Sequence, residues 1–548
     1  MEALPIRPDV EDHPMSSPAI DSGPDVPALP TTTIGGALDD AVARWGSREA
    51  LVSVAQGLRY TYAELSEAVA ALARGLVARG VGPGDRVGIW APNCAEWVLV
   101  QYATARLGAV LVTINPAYRT HELAYVLDQA GVCLLVAAPA FKTSDYVGMA
   151  AEAAPGLPAV FFGTAEWEEL LDTGEPLPEL DLSPDDPINI QYTSGTTGFP
   201  KGATLSHRNL LGNGFLVGAG CRYTAADRIC VPVPFYHCFG MVMGNLGALS
   251  HGACVVIPAP AFDPAATLEA VVQERCTSLY GVPTMFIAAV GRPDFDAYDL
   301  SSLRTGIMAG SPCPVEVMKQ VQTFMPEVTI CYGMTETSPV STQTRADDTI
   351  DRRVSTVGRV HPHVTVKVVD PDTGEVVPRG HTGELCTAGY GVMLGYWDDE
   401  AKTAEAIDAD GFMHTGDLAV MDDEGYLSIV GRSKDMVIRG GENIYPREVE
   451  EFLHSHPDVV DVQVVGVPDV RYGEELCAWV QLREGTSLSA EQLRDWCTGR
   501  LAHYKIPRYV RITEEFPMTV TGKVQKYRMR ETSVEELGLQ SAAAVVTA

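Results

Sequence analysis

Helical and extended apolar patterns alternate along most of this chain. Thr61 and Glu64 form a capping-box pattern that opens the helix YAELSEAVAALARGLVARG, which stops at Gly80. RVGIW then reads as a short strand, 96–107 as a helix, AVLVTI as a strand, 120–131 as a helix and CLLVAA as a strand. The rhythm continues through VVIPAP, SLYGV and LRTGIMAG. It predicts largely parallel sheet covered by helices. After about Gly358 the texture changes to short strands separated by turns: VTVKVVD, the turn PDTGE, GELCTAG and LAVMDDEGYLSIVG. These predict a small antiparallel β subdomain. Beyond Arg432 come a helix (REVEEFLHSH), two strands (VVDVQVVGV, ELCAWVQL), a helix (SAEQLRDWCTGRLA) and a strand (YVRIT). That is a small α+β module of roughly a hundred residues, large enough to fold alone. The expected fold class is therefore α/β. A large N-terminal domain over 34–432 holds parallel-rich sheets with helices plus the β subdomain, and a small mobile α+β domain occupies 433–548. Residues 1–33 are rich in Pro, Asp and Ser and are expected to form a flexible tail. A large domain beside a small one implies a cleft between them.

Length supports this division, because 548 residues are too many for one core. Charge narrows the ligands. With 40 basic against 71 acidic residues the formal charge is -31. That argues against nucleic acid, which wants a basic surface, and against an electrostatic hold on anionic lipid. An anionic small molecule can still bind if the cleft concentrates local positive charge against the global field. The 12 cysteines show no CxxC spacing and lie mostly in apolar runs such as GVCLLV and GACVV. They read as small buried hydrophobes in a reducing compartment. Cys238 and Cys313 fall in functional-looking segments but have no base beside them to mark a nucleophile. The start, MEALPIRPDVEDHPMSS, lacks a basic region followed by an apolar one, and no apolar run approaches the ~20 residues of a membrane span. A cytoplasmic protein with no transmembrane segment is expected.

The most telling chemistry lies at 192–203, YTSGTTGFPKGA. Thr193, Ser194, Thr196 and Thr197 bring hydroxyls, Gly195, Gly198 and Gly202 allow close backbone approach, and Lys201 adds a mobile cation. Together they suit a polyphosphate. Ile188 and Ile190 read as a strand entering this loop. The loop departs from the Walker P-loop, which places Gly before and Ser or Thr after its lysine, whereas Pro200 and Gly202 flank Lys201. Downstream, YGMTET (332–337) joins an aromatic, a glycine, hydroxyls and the carboxylate of Glu336. A carboxylate near polyphosphate can hold Mg²⁺, though an exposed acid is the commoner use of Glu. Asp417 in HTGDLA could accept from the two hydroxyls of a ribose, a weak signal by itself. His237 in PFYHCFG reads from residue type as a packed core histidine. A lone lysine such as Lys523 in VTGKVQK is ordinarily a solvated charge.

These strings, in this order, resemble the signatures of the adenylate-forming superfamily of acyl-CoA synthetases, peptide-synthetase adenylation domains and luciferases. RSKDMVIRGGENIYP and VMLGYWDD look most like fatty acyl-CoA synthetases, the medium-chain branch in particular. The resemblance runs from about 34 to 530. It implies that Thr193 to Gly198 and Lys201 bind ATP phosphates. It implies that Gly310, Ser311 and Pro312 of AGSPC line the adenine and acyl group. Tyr332, Gly333, Met334 and Thr335 also line the adenine, and Glu336 holds Mg²⁺. Asp417 and Arg432 take the ribose, with Arg432 also reaching the phosphate. Lys434 is implied as the hinge. Arg439, Gly440, Gly441 and Glu442 swing in for the CoA step. Lys523 is the implied catalytic lysine, and His237 gates an acyl pocket walled by FGMVMGNLGAL. The implied cofactors and substrates are Mg²⁺, ATP, coenzyme A and a fatty acid, with no nucleic acid and with a homodimer as an open option. The implied reaction is ATP-dependent formation of acyl-AMP and pyrophosphate, then transfer to CoA with release of AMP. Two other readings stay open: an aryl or other carboxylic acid–CoA ligase of the same superfamily, and a non-catalytic nucleotide-binding relative.

Overall fold

The computed structural model describes residues 17–171, 177–193, 200–311, 313–440, 442–519, 522–540 and 542. Among these residues, two large sheets carry the N-terminal part. One is seven-stranded, in the order Gly395–Tyr396, Lys201–Ser206, Pro187–Thr193, Val110–Thr113, Arg86–Trp90, Leu134–Ala137, Ala159–Phe161. The other is nine-stranded and runs from Arg359–Val360 through Glu327–Gly333, Thr305–Ala309 and Ser278–Gly281 to Glu49–Ser53 and Leu58–Thr61. The interior pairs are parallel, as the alternating pattern predicts. Their strands are buried on both faces and so read as unbroken apolar runs, such as VLVT, LLVA and CVVI. Antiparallel strands finish both edges of the nine-stranded sheet and one edge of the seven-stranded sheet.

Helix Tyr62–Ala78 has the capping box that the sequence indicates, with Glu64 N donating to Thr61 Oγ1 and Thr61 N to Glu64 Oε2. Helix Ala95–Leu107 is buried almost all round. It locks onto a buried π-helix, Phe239–Leu246, through Gln101 Nε2 to Met241 O and Tyr102 OH to Asn245 O. One apolar core joins these helices to both sheets.

A five-stranded antiparallel sheet follows: Ile20–Ser22, Val364–Val369, Thr382–Gly389, Met413–Met421, Leu427–Arg432. Its first strand corrects the expectation of a flexible tail over 1–33. Ile20 pairs with Lys367, and Ala19 is fully buried. The pairing supplies partners for backbone groups that a Pro- and Asp-rich stretch would otherwise leave to water. Residues 1–16 lie outside the described part of the chain. The last sheet holds Glu442–Ile444, Val437–Arg439, Gly473–Leu482, Val459–Asp469 and Tyr509–Ile512, with helices Pro446–His454 and Ala490–Cys497. Its apolar clusters contain only residues beyond 436.

Close approach of backbones constrains Gly75 in helix Tyr62–Ala78. A Cβ there would lie 1.8 Å from Leu170 O, a backbone atom that no rotamer change can move. Gly75→Ala should force apart this helix and Ala165–Leu171, cost about 2 kcal/mol, and lower Tm in a thermal melt. An unchanged Tm would mean that the two helices are not held this closely.

Candidate active site

The seven-stranded sheet positions the first part of the site. Strand Pro187–Thr193 is followed by Lys201–Ser206, antiparallel to it, with Thr193 opposite Lys201. Ser194, Gly195, Thr196, Thr197 and Gly198, between these strands, lie outside the described residues. Strand Lys201–Ser206 pairs on its other side with Gly395–Tyr396, setting Ala203 opposite Tyr396. Lys201 Nζ thereby stands 4.9 Å from the Tyr396 ring centroid, a cation–π contact. The Tyr396 hydroxyl donates to Glu336 Oε1 at 2.9 Å. Glu336 sits in the short turn Thr335–Thr337 directly after strand Glu327–Gly333 and is 5 % exposed. Its second oxygen takes no hydrogen bond from a described residue. Gly333 is required at the head of this turn, since a Cβ would meet Pro339 O at 1.8 Å.

A second carboxylate comes from the antiparallel sheet. Asp417 lies opposite Arg432 across strands Met413–Met421 and Leu427–Arg432. Asp417 Oδ2 accepts from Tyr332 OH at 2.7 Å and Oδ1 from Arg432 Nε at 3.1 Å. Burial, and then the Asp417 charge, push the Tyr332 phenol well above its ordinary value, so it remains a donor. The turn before Asp417 is fastened by Gly416 N donating to Glu384 Oε1 at 3.0 Å.

The third component comes from the C-terminal part. Lys523 ends a tight turn in which Thr519 N donates to Lys523 O at 2.7 Å and Lys523 N donates to Thr519 Oγ1 at 3.0 Å. Thr284, at the start of helix Pro283–Val290, donates its hydroxyl to Gly522 O at 3.2 Å and docks the turn. A Cβ on Gly310 would sit 3.6 Å from Lys523 Cε, so the lysine stem lies over the glycine. Gly310 also has φ +92, which favours glycine. Burial holds the Lys523 ammonium below its ordinary range, with Arg432 pushing the same way and Asp417 and Glu336 opposing. His237 is pushed down to about 3 by burial and by the Lys523 cation, and is therefore neutral. Its Nδ1 accepts from Phe239 N at 3.1 Å, at the start of the π-helix. Both side chains are densely surrounded yet keep some accessible surface, as groups lining a cleft do.

The structure thus gathers Lys201, Gly310, Tyr332, Glu336, Asp417, Arg432, His237 and Lys523. Met334 and Thr335 flank Glu336, and Ser311 follows Gly310, while Pro312 is outside the described residues. Arg439, Gly440 and Glu442 are not brought in. Arg439 pairs with Glu475 at 2.8 Å and lies over Tyr472, and Gly440 N donates to Tyr472 O. Glu442 is exposed opposite Arg439, and Gly441 is not described. Lys434 lies in the turn Ser433–Asp435 just after Arg432, its ammonium held low by burial and then by Arg432. Tyr396 and Thr284 were missed as site residues. The string GYW carried the signal for the first, and the helix-opening PT pair for the second.

Residues 38–397 match the AMP-binding enzyme family and 448–523 match the AMP-binding enzyme C-terminal domain, the second match ending on Lys523. The chain belongs to the AMP-binding enzyme family. It is 49% identical over 542 residues to the putative acyl-CoA synthetase YngI of Bacillus subtilis (strain 168), covering 93% of this chain and 98% of that protein. It is 44% identical to the mitochondrial medium-chain acyl-CoA ligase ACSF2 of Danio rerio, covering 95% and 93%. Among solved structures, ATP-bound MatB from Rhodopseudomonas palustris superposes with a TM-score of 0.83 at 32% identity, covering 92% and 99%. The Mycobacterium tuberculosis fatty acyl CoA synthetase gives 0.72 at 29%, covering 91% and 98%.

Two outcomes follow from this geometry. Tyr396→Phe removes the donor that orients a buried carboxylate, so it should slow pyrophosphate release about tenfold, a loss of roughly 1.4 kcal/mol. A rate equal to that of wild type would make the contact incidental. The second concerns Lys523. Deprotonation removes its charge, so kcat/KM for pyrophosphate release should fall as pH rises, through an apparent pKa below the ordinary lysine value of 10.5. The residual rate of Lys523→Ala should lack that limb. A limb at or above 10.5 would mean that burial is not felt by the ammonium.

Proposed function

We propose that this chain activates a medium-chain fatty acid, with its small C-terminal domain turning about Lys434 between two half-reactions. The enzyme is an AMP-forming acyl-CoA ligase and uses ATP and CoA. In the first half-reaction a carboxylate oxygen of the acid attacks the α-phosphorus of ATP. The bond to the bridging oxygen breaks and pyrophosphate leaves. In the second, the CoA thiolate attacks the acyl carbon and AMP departs as a far better leaving group than the hydroxide of the free acid.

The observation that carries this reading is the seat of Lys523. A lysine from the C-terminal part lies over Gly310, beside His237, with Glu336, Asp417 and Arg432 in electrostatic reach. There its charge can balance the negative charge that builds on the α-phosphate, and the group is placed before the reaction starts. Thr193 to Gly198 and Lys201 are assigned to the ATP phosphates. Gly310, Ser311, Pro312 and Tyr332 to Thr335 are assigned to the adenine, and Asp417 with Arg432 to the ribose. Glu336 suits Mg²⁺, because Tyr396 holds one oxygen and the other is free for a hard cation. When bound, that ion would neutralise phosphate charge. Neutral His237 at the head of the buried π-helix is assigned to the acyl entrance.

Arg439, Gly440, Gly441 and Glu442 are assigned to the CoA step, which they reach only after the domain turns. The apolar clusters separate between Ile429 and Val437, which supports a domain boundary at 432/433. The 12 free cysteines suit a reducing compartment, which supports a cytosolic site of action. The 44% identity to the medium-chain acyl-CoA ligase ACSF2 supports a medium-chain acid.

One experiment tests the whole. Pyrophosphate exchange and acyl-CoA formation are measured over a panel of linear and aromatic acids, for wild type and Lys523→Ala. Wild type should prefer medium-chain linear acids. Lys523→Ala should lose at least about 100-fold in adenylation, about 3 kcal/mol, yet convert supplied acyl-AMP to acyl-CoA at much of the wild-type rate. Preference for aromatic acids would overturn the substrate class. Equal loss in both half-reactions would overturn domain alternation.

A further inference from the structure

The antiparallel sheet carries a second cluster of donors on one face. Cys386 and His414 are cross-strand neighbours on Thr382–Gly389 and Met413–Met421, and Glu384 lies two residues before Cys386 on the same side. Cys386 Sγ is 3.5 Å from His414 Nδ1, and Glu384 Oε2 is 2.9 Å from the same nitrogen. One donor atom from each of the three residues falls within 4.8 Å of the others.

We propose that Cys386, His414 and Glu384 form a binding site for a borderline-soft divalent cation of the Zn²⁺ class. The geometry supports it. With ordinary Zn–S and Zn–N lengths, a sulfur–nitrogen separation of this size subtends roughly 105–110° at the metal, the tetrahedral value. Glu384 Oε2 needs to swing out by about 0.4 Å to match. A thiolate and a carboxylate supply two negative charges for a divalent ion. The outer partners are also in place. His414 Nε2 faces Asp408 Oδ2 at 3.6 Å, just beyond hydrogen-bond length, so a small shift would set a carboxylate behind the imidazole as at metal sites. Asp408 is itself held by Lys367 Nζ at 3.1 Å. Glu384 Oε1 is anchored by Gly416 N, leaving Oε2 for the cation. Cys386 is buried, whereas the His414 side chain is 33% exposed and the Glu384 side chain 18% exposed. That edge gives an entry path and a fourth position for water. The hard Mg²⁺ is disfavoured by the sulfur and nitrogen donors. Gly416 immediately precedes Asp417, so an ion here would stiffen the turn assigned to the ribose.

The test uses full-length, metal-stripped protein and Co²⁺ as the spectroscopic probe. Wild type should develop a near-ultraviolet thiolate-to-cobalt charge-transfer band that saturates at one equivalent, is displaced by Zn²⁺ and is unaffected by Mg²⁺. Cys386→Ser should abolish the band and weaken Co²⁺ binding by about 100-fold. His414→Gln, a second variant in case the first does not fold, should weaken binding at least tenfold. Cys133→Ser, at an exposed cysteine elsewhere, should leave the band intact. Absence of a band in wild type, or a band unchanged in both site variants, overturns the proposal.

Discussion

The site depends on placing one ammonium group, Lys523, where water is scarce. Removing a cation from water costs several kcal/mol unless partners replace the lost solvation. Here the replacement is partial. Asp417 and Glu336 draw the charge in, while Arg432 opposes it, and burial still dominates. A lysine so held is poised to gain from a phosphate, because ligand charge supplies what the protein withholds. This is how a protein with net charge -31 can attract polyanions: positive charge is confined to a few side chains inside a cleft, where field lines concentrate.

The docking that brings Lys523 there is light. Thr284 donates to Gly522 O, Arg447 donates to Ile429 O at 2.7 Å, and Val315 N reaches Glu451 at 3.5 Å. These are polar contacts to backbone groups, and the apolar clusters on either side remain separate. Such an interface permits relative motion of its two sides. Arg439 and Gly440 meanwhile have all their described partners on their own side of it. A weak, polar interface of this kind is compatible with the proposed alternation between the two sets of residues.

Much of the fold was legible because parallel strands buried on both faces announce themselves as apolar runs, and their helices as capped periodic segments such as Tyr62–Ala78. What escaped was set by register between distant strands. Ile20–Ser22 is short, lies in a polar stretch, and finds its partner more than 300 residues later. No local period can reveal it. The site divides the same way. Thr193 and Lys201 stand in a string whose composition alone suits a polyphosphate, whereas Glu336, Asp417 and Lys523 took their roles from the resemblance to a family and from the order of its strings. Tyr396 matters only because a two-residue edge strand sets it beside Lys201 and Glu336. Cys386 and His414 meet only because two strands pair at that register.

Both buried carboxylates of the site are fastened by the same device. Tyr396 donates to Glu336, and Tyr332 donates to Asp417, each through one phenolic hydroxyl. Burial and the adjacent carboxylate raise both phenols, so neither loses its proton at a working pH. A phenol orients a carboxylate without cancelling its charge, which a lysine partner would do. Glu336 therefore has one oxygen held by the phenol and a second to which no described residue donates. Asp417 keeps lone pairs for hydroxyl donors even with Arg432 on its other oxygen. Among the described residues, the cations Lys201 and Lys523 are meanwhile left without a close carboxylate. Lys201 rests on the face of an aromatic ring, a weak partner that a phosphate can outcompete. Tyrosines holding the acids thus leave the lysines available to the substrate.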